Sequence, residues 1–202
     1  MDPRTLQALL AVSDAALEHL TLETLLPDLA EHVRAIMQID GAAILLLSED
    51  GQALEIGSAS GTAEQFVGQT PIPVGDGFAG RVAATGAPLA VDAPARNRGD
   101  SQRLREGWSS TLGVPLRVGE RLLGVLQVVS TTPRPFTDRD TALLQQMADR
   151  IAQAIERAQH FRFENTIRLA SQRQATLITL SFEPIFVWSP DGGIVEWNAG
   201  AE

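Results

Sequence analysis

Cysteine is absent from all 202 residues of this chain. Its absence excludes disulfides, zinc sites with thiolate ligands, iron–sulfur clusters and cysteine nucleophiles. Histidine is scarce as well, since the chain has only His19, His32 and His160. The length suits one domain of roughly 100–150 residues plus a remainder, and a core of that size needs no disulfide or metal to be stable.

Long apolar runs and excess positive charge are also missing. The longest purely apolar run, Ala42–Leu47, is far shorter than the roughly 20 residues of a membrane-spanning helix. The net charge of -9 argues against sequence-independent binding to nucleic acid, which depends on Lys and Arg contacts with phosphates. Met1-Asp2-Pro3 lacks the basic start of a signal peptide. We therefore expect a cytoplasmic chain with neither a membrane nor a nucleic-acid partner.

Apolar residues in the first part of the chain recur at helical spacing and predict two helices. We assign residues 1–20 as an N-terminal helix that precedes the main domain. Pro27 lies near the start of the second helix, where a missing N–H is tolerated. The apolar positions of this second helix are Leu22, Leu25, Leu26, Leu29, Val33, Ile36 and Met37.

The period then changes to that of strands and turns. Glu49-Asp50-Gly51 is a turn between two predicted strands, which makes a hairpin. A loop with room for a short helix follows, and then a helix that Gly86 terminates. The predicted elements are strands at Ala42–Ser48 and Ala53–Ala59, a loop at Gly61–Pro73, a helix at Gly77–Thr85 and a strand at Pro88–Val91.

A second hairpin and a capped helix come next. Thr111–Val118 and Arg121–Ser130 are predicted strands joined by Gly119-Glu120, a pair suited to a two-residue turn. The second of these strands is apolar at nearly every position, so we expect it to be covered on both faces. Thr137 is the expected N-cap of the following helix, because acidic residues occupy the first turn after it.

No helix breaker occurs between Asp138 and Pro184. A helix of about 40 residues would extend roughly 60 Å, and its distal half could not bury an apolar seam on a domain of this size. We therefore predict a homodimer through paired helices, with residues 161–181 forming a coiled-coil linker. The predicted dimer-contact residues are Leu144, Met147, Ile151, Ile155, Ala158 and Phe161.

The final segment, residues 182–202, returns to strand periodicity. Pro184–Ser189 and Ile194–Trp197 flank the turn Asp191-Gly192-Gly193 and predict a hairpin. The order of strand, Asp-Gly turn, strand and Asn198 resembles the truncated N-terminal start of a PAS domain. Since a lone hairpin is marginally stable in water, we expect the chain to be the front of a longer protein.

Four segments occur in an order that resembles the GAF domain, a small-molecule-sensing and dimerising module of signalling proteins. They are Val74–Val91, Gly113–Leu116, Leu123–Val129 and Pro135–Asp140. The resemblance covers residues 21–160. It implies an α+β fold with a central antiparallel sheet, the terminal helices on one face and a small roofed pocket on the other. Members bind cyclic nucleotides, bilins, haem-bound gases or small metabolites, and many bind nothing.

Several ligands and reactions of that family need residues that this chain does not offer. Covalent bilin attachment needs a thiol, and the free methionine sulfoxide reductases of this fold need redox cysteines. Haem usually needs a proximal histidine, and all three histidines fall on predicted helices outside residues 41–130, the pocket-forming stretch. The Asn-Lys-x-Asp pattern of cyclic-nucleotide-binding members is also missing. The cofactor is therefore left unknown.

What remains for a pocket is mostly apolar, with a few polar groups. Ser110 and Gln127 are favoured among these, because a polar group within apolar strands must find a partner. The alternative is that the aromatics are ordinary core and that the polar members are solvated or locally paired. The arginines between Arg96 and Arg105 offer an anion site, although a solvated loop is preferred. The candidate ligand-binding residues are Phe66, Phe78, Arg81, Trp108, Ser110, Thr111 and Gln127.

These observations predict a non-catalytic sensory and dimerisation module of a signal-transduction protein. It would bind an unknown small molecule and relay through the helix to PAS and output domains. The alternative is a ligand-free spacer that acts only in protein interaction. An enzyme is not supported, because no nucleophile with a base, no metal constellation and no phosphate loop is found. By analogy, the parent is expected to be a histidine kinase of a two-component system, with a diguanylate cyclase or phosphatase next.

Overall fold

The computed structural model describes residues 22–92, 108–180, 186–189 and 193–197. The helix predicted over residues 1–20 lies outside the described residues, as do Arg96–Arg105 and Asn198. The helices are α1 (Leu22–Met37), α2 (Gly77–Thr85) and α3 (Asp138–Leu180), with a short 3-10 turn at Glu64–Phe66. The strands are β1 (Gly41–Leu47), β2 (Ala53–Gly61), β3 (Ile72–Pro73), β4 (Leu89–Asp92), β5 (Ser110–Val118), β6 (Arg121–Ser130), β7 (Phe186–Ser189) and β8 (Gly193–Trp197).

Six strands form one sheet in the order β3-β2-β1-β6-β5-β4, and every neighbouring pair is antiparallel. The hairpin between β5 and β6 turns at Gly119, whose φ of 59° lies in the left-handed region that glycine adopts without strain. β6 is buried from Leu123 to Ser130, as its continuous apolar sequence predicts. The predicted α+β fold with a central antiparallel sheet is confirmed. The short strand β3, within the segment predicted to be a loop, was missed.

One face of the sheet, which we call the helix-covered face, packs against α1 and the first half of α3. Alternate residues of the central strands point to this side, among them Ile44, Val114 and Leu126, and all three are fully buried. From α1 the apolar repeat contributes Leu25, Leu29 and Val33 to the same core. These aliphatic side chains close the core without a described aromatic residue at its centre.

Helix α3 supplies the other half of that core, and this requires a correction. The side chains predicted to face a partner helix are buried instead against the sheet and α1 of the same chain. The fully buried ones are Leu144, Met147, Ile151 and Ile155, and Ala158 is 8% exposed. These side chains are therefore unavailable to a partner helix, because the sheet and α1 already cover them. The homodimer itself stays a prediction. The side chain of Phe161 lies outside the described residues.

The opposite face of the sheet, which we call the pocket face, carries α2 and the 3-10 turn. Asp76 caps the start of α2, and Gly86 ends it with a φ of 61°, so both ends of the predicted helix are confirmed. Phe78 of α2 lies directly on β5 at Gly113, where an added Cβ would stand 2.7 Å from the Phe78 ring. Glycine at this position therefore sets how closely α2 approaches the sheet.

Residues Gln159–Glu202 form a second compact unit. It holds the backbone of α3 from Gln159 to Leu180 and the antiparallel pair β7–β8, in which Phe186 lies opposite Trp197. Trp188 and Ile194 of this hairpin are more than half exposed. The assignment of the hairpin to a PAS domain stays a prediction. Among the described helices, none is both long and apolar enough to cross a membrane.

Candidate functional site

A small hollow lies on the pocket face between the sheet, α2 and the 3-10 turn. It leaves about 30 Å³ for the centres of water-sized molecules. One water molecule needs about 10–15 Å³ of such space, so the hollow has room for two or three water molecules. Its described lining is apolar apart from the side chains of Gln127 and Trp108. The lining residues are Ala43, Leu45, Ile56, Ala63, Phe66, Ile72, Phe78, Ala79, Trp108 and Gln127.

Trp108 is the wall residue with an unmet hydrogen-bonding need. Its ring meets the Phe66 ring edge-on, with centroids 4.8 Å apart and planes at 72°, a favourable geometry for two aromatic rings. Trp108 is only 7% exposed, and its Nε1 has no hydrogen-bond partner within the part of the chain that the structure describes. Buried N–H groups are nearly always paired, so this indole N–H is an exception. The atom is closed off by its neighbours, and a molecule in the hollow reaches it only when a neighbouring side chain shifts.

Gln127 is the second polar group of the wall, and its amide has a defined orientation. Thr111 donates its only hydroxyl proton to the Val128 carbonyl at 3.1 Å, so its oxygen can only accept from Gln127. Gln127 must therefore present its Nε2 to Thr111, at 3.2 Å, and direct its carbonyl oxygen elsewhere. Thr111 thus orients the wall without itself lining the hollow.

Arg81 and Ser110 do not line the hollow. The Arg81 Nε donates to the Gly77 carbonyl at 3.0 Å within α2. Ser110 belongs to the other side of β5, where its hydroxyl accepts from the Arg134 backbone N–H at 3.0 Å. Of the seven candidates from the sequence, the structure therefore brings Phe66, Phe78, Trp108 and Gln127 together, with Thr111 behind Gln127.

The wall offers no obvious catalytic group. No charged or titratable side chain lines the hollow in the described parts of the chain. Nor do the described residues contain a group of three or more His, Asp or Glu side chains that could hold a metal ion. The described lining therefore offers apolar contacts together with the polar side chains of Gln127 and Trp108.

The start of β5 connects the hollow to the linker between β6 and α3. Directly after Trp108, the Ser109 N–H donates to the Ser130 carbonyl at 2.7 Å, and the Ser109 hydroxyl donates to the Thr131 carbonyl at 2.8 Å. Ser110 then holds Arg134, as described above. The two residues after Trp108 are therefore joined by hydrogen bonds to the segment that leads into α3.

Sequence reasoning missed two residues that hold this linker, Arg134 and Asp40. The Arg134 guanidinium donates to the carbonyls of Met37 and Gln38 at the end of α1, and to Asp140 at the start of α3. The sequence offered one indication of Arg134, because this residue stands between two prolines. The backbone is extended there and holds the side chain in a fixed direction.

Asp40 holds the other end of the linker. Its carboxylate accepts from the Thr131 N–H at 2.6 Å and from the Thr131 and Ser130 hydroxyls. These hydrogen bonds, the Thr131 N–H first, lower the Asp40 carboxyl pKa below its usual value. Because they join residues some 91 positions apart, no local pattern reveals them.

Asp140 and Thr137 form the predicted cap at the start of α3. The Asp140 N–H donates to the Thr137 hydroxyl oxygen at 3.2 Å, and the Asp140 carboxylate accepts from the Thr137 N–H at 2.9 Å. Burial by itself would raise the pKa of the Asp140 carboxyl. The hydrogen bonds from Thr137 and the positive charge of Arg134 outweigh burial, so the pKa is lowered overall.

The sequence profile of the GAF domain matches residues 19–156, more than half of the chain. The chain belongs to the GAF domain family. The GAF domain of a phosphoenolpyruvate-protein phosphotransferase from Acinetobacter has the same fold, with a TM-score of 0.69 and 21% identity over 79% of this chain and 98% of that one. The free methionine-R-sulfoxide reductase from Neisseria meningitidis aligns with a TM-score of 0.68 and 18% identity, over 79% of this chain and 94% of the reductase.

Curated relatives of this GAF domain include the formate hydrogenlyase transcriptional activator FhlA of Escherichia coli. The two chains are 25% identical over 158 residues, which is 74% of this chain and 23% of the activator. This chain therefore spans about a quarter of the length of that relative. At these identities the structural neighbours establish the fold alone.

Proposed function

We propose that this GAF domain senses a small molecule that enters the hollow and occupies the free hydrogen-bonding capacity of Trp108. GAF domains are sensory and regulatory modules of signalling proteins, and the chain carries the family's fold. The observation that supports ligand binding is a buried indole N–H without a partner, in a residue that lines an apolar cavity. A sensor of this kind needs no catalytic group, and none is found among the described residues that line the hollow.

The signal would leave the hollow through the start of β5. A ligand that shifts Trp108 would shift Ser109 and Ser110, and through them Arg134 and the first turn of α3. Helix α3 would carry the change to a following PAS domain and an output domain. This route is a physical path of hydrogen bonds, and coupling along it must be measured.

A histidine kinase is our proposed output, with a diguanylate cyclase or phosphatase as further candidates. The curated relative FhlA is a transcriptional activator, which adds control of transcription to this set. Dimerisation through paired helices also stays a proposal, and it now depends on the apolar repeat beyond Ala158. Sedimentation of the chain as a monomer at high protein concentration would contradict the dimer.

Native mass spectrometry of the whole chain tests ligand binding. We expect a small mass to remain bound under gentle conditions and to be released on denaturation. Ala43→Leu is the blocking variant, because its side chain would fill the hollow from β1. Ala42→Leu, on the other face of the same strand, is the control and should retain the ligand if it folds. An empty protein in every preparation contradicts the proposal.

The alternative is a ligand-free interaction spacer, and the small volume of the hollow favours it. A spacer has no need for an open cavity, so Ala43→Leu should then leave the activity of the full-length protein unchanged. A sensor should lose its response to ligand in the same variant. The two functions therefore differ in one measurement on one substitution.

A further inference from the structure

The chemistry of the wall restricts what the hollow can bind. We infer that its ligand is a compact, uncharged molecule that carries both a hydrogen-bond acceptor for Trp108 and a hydrogen-bond donor for Gln127, as a lactam or a primary amide does. This inference rests on the proposed ligand-binding function and deepens it. Three observations support it, one for each property of the ligand.

The first observation is the unpaired donor. An indole nitrogen can donate a hydrogen bond but cannot accept one. Since Trp108 is more than nine-tenths buried, leaving this N–H unpaired is costly, and a ligand that supplies an acceptor removes the cost. A purely apolar molecule would fill the hollow and leave the N–H unpaired.

The second observation is the oriented acceptor. Because Thr111 is committed as a donor to Val128, Gln127 must turn its amide N–H2 toward Thr111. Its carbonyl oxygen is then the group left to meet a ligand, and rotation of the amide would break the bond with Thr111. The site therefore offers one donor, the Trp108 N–H, and one acceptor, the Gln127 carbonyl. A molecule that carries one acceptor and one donor can pair with both.

The third observation is the absence of charge. The described lining contains no Lys, Arg, His, Asp or Glu. An ion that left water for this wall would lose its hydration without an opposite charge to compensate. A neutral ligand avoids that cost. Arg96–Arg105 lie outside the described residues, so an anion is included among the test compounds.

The test compounds are δ-valerolactam, cyclohexanone and valerate. The lactam carries the acceptor and the donor, the ketone has the same ring size but lacks the donor, and valerate is the charged, ring-opened relative. A six-membered ring needs more room than two or three waters, so Phe66 or Phe78 must shift on binding. Side-chain shifts of this kind are common on binding.

Proton–nitrogen correlation NMR of the whole chain provides the readout. The three tryptophans give three indole N–H signals, and the Trp108→Phe variant identifies the one from Trp108. We expect δ-valerolactam to move this signal downfield and to saturate. Cyclohexanone should bind about fivefold more weakly, because the carbonyl of Gln127 would then lack a partner, and valerate should not saturate.

Two variants assign the hydrogen bonds. In Gln127→Leu the affinities for the lactam and the ketone should differ by less than about twofold, since the side-chain carbonyl that would accept from the lactam N–H is gone. In Trp108→Phe the lactam should bind about fivefold more weakly, as followed by the backbone amide signals of β6. The dispersion of the amide spectrum shows directly whether each variant is folded.

Three results would overturn the inference. Equal affinity for the lactam and the ketone would remove the donor requirement, and saturation by valerate would remove neutrality. In both of these cases the hollow still binds ligands, so the proposed function stands. If no compound moves the Trp108 signal, the ligand class is wrong, and an empty native mass spectrum would then remove the proposed function as well.

Discussion

The two faces of the central sheet are built from the same strands, yet they differ in what covers them. The helix-covered face is closed by α1 and α3, and its core is aliphatic, with Leu, Ile, Val, Met and Ala. The pocket face has a smaller core that contains Phe66, Phe78 and Trp108, and it retains a hollow and a buried amide. Flexible aliphatic side chains fill space between long helices, whereas rigid rings under short elements leave gaps.

This difference divides the domain into one face that contributes mainly to stability and one face on which we propose ligand recognition. The helix-covered face holds the larger set of buried apolar residues, and no buried polar side chain on it lacks a hydrogen-bond partner among the described residues. The pocket face gives up some packing and holds an unpaired donor, Trp108. Functional sites commonly break the local rules that the rest of a fold obeys. The following predictions test this division, from the largest expected effect to the smallest.

Truncating one isoleucine on each face compares the two cores directly. Ile44→Ala on the helix-covered face should lower the free energy of unfolding by about 3 kcal/mol, because the enclosed site cannot collapse around the cavity. Ile56→Ala beside the hollow should cost about 1 kcal/mol, since this side chain is already partly exposed. Urea unfolding of the whole chain measures both, and equal costs would contradict the division.

Enlarging one alanine on each face reverses the experiment. Ala42→Leu should destabilise the protein by about 2 kcal/mol, because it forces extra volume into a filled core. Ala43→Leu on the next residue has the hollow to occupy and should change stability by less than about 1 kcal/mol. Thermal unfolding of the two variants side by side provides the measurement. Loss of folding in Ala43→Leu alone would show that the hollow is not available space.

Acid should affect the linker between β6 and α3 and the hollow differently. The pKa of Asp40 is lowered in the folded protein, so its contribution is present above the unfolded pKa and is lost as the pH falls through the lowered value. Asp40→Asn should therefore flatten the acid loss of stability below about pH 4 by about 1 kcal/mol. Ligand affinity at the hollow should stay constant between about pH 5 and pH 8, since none of the described residues that line it is titratable.

Unfolding measured by fluorescence across the acid range checks the first of these expectations. Calorimetric titration with δ-valerolactam across the neutral range checks the second. An unchanged acid slope in Asp40→Asn would show that the carboxylate bonds to Thr131 do not contribute to stability. A pH-dependent affinity would indicate that a charged group reaches the hollow.

Local features of the domain were predictable because local forces produce them. The Thr137 cap, the end of α2 at Gly86 and the turn at Gly119 each depend on hydrogen bonds or φ angles within a few residues. The same holds for the strand hairpins, whose register follows from short turns. Four of the seven pocket candidates also line the hollow, because aromatic residues are rare in this chain and a polar residue within an apolar strand stands out in the sequence.

The sequence by itself determined the order of elements, the apolar face of each and the caps that bound them, since propensity and periodicity act over a few residues. Only the tertiary structure decided what covers those faces. Periodicity shows that α3 has an apolar seam, but not that the seam meets its own sheet rather than a second helix. The bonds of Asp40 and Arg134 and the unpaired N–H of Trp108 were likewise decided there, because contacts between distant residues depend on how the chain closes on itself.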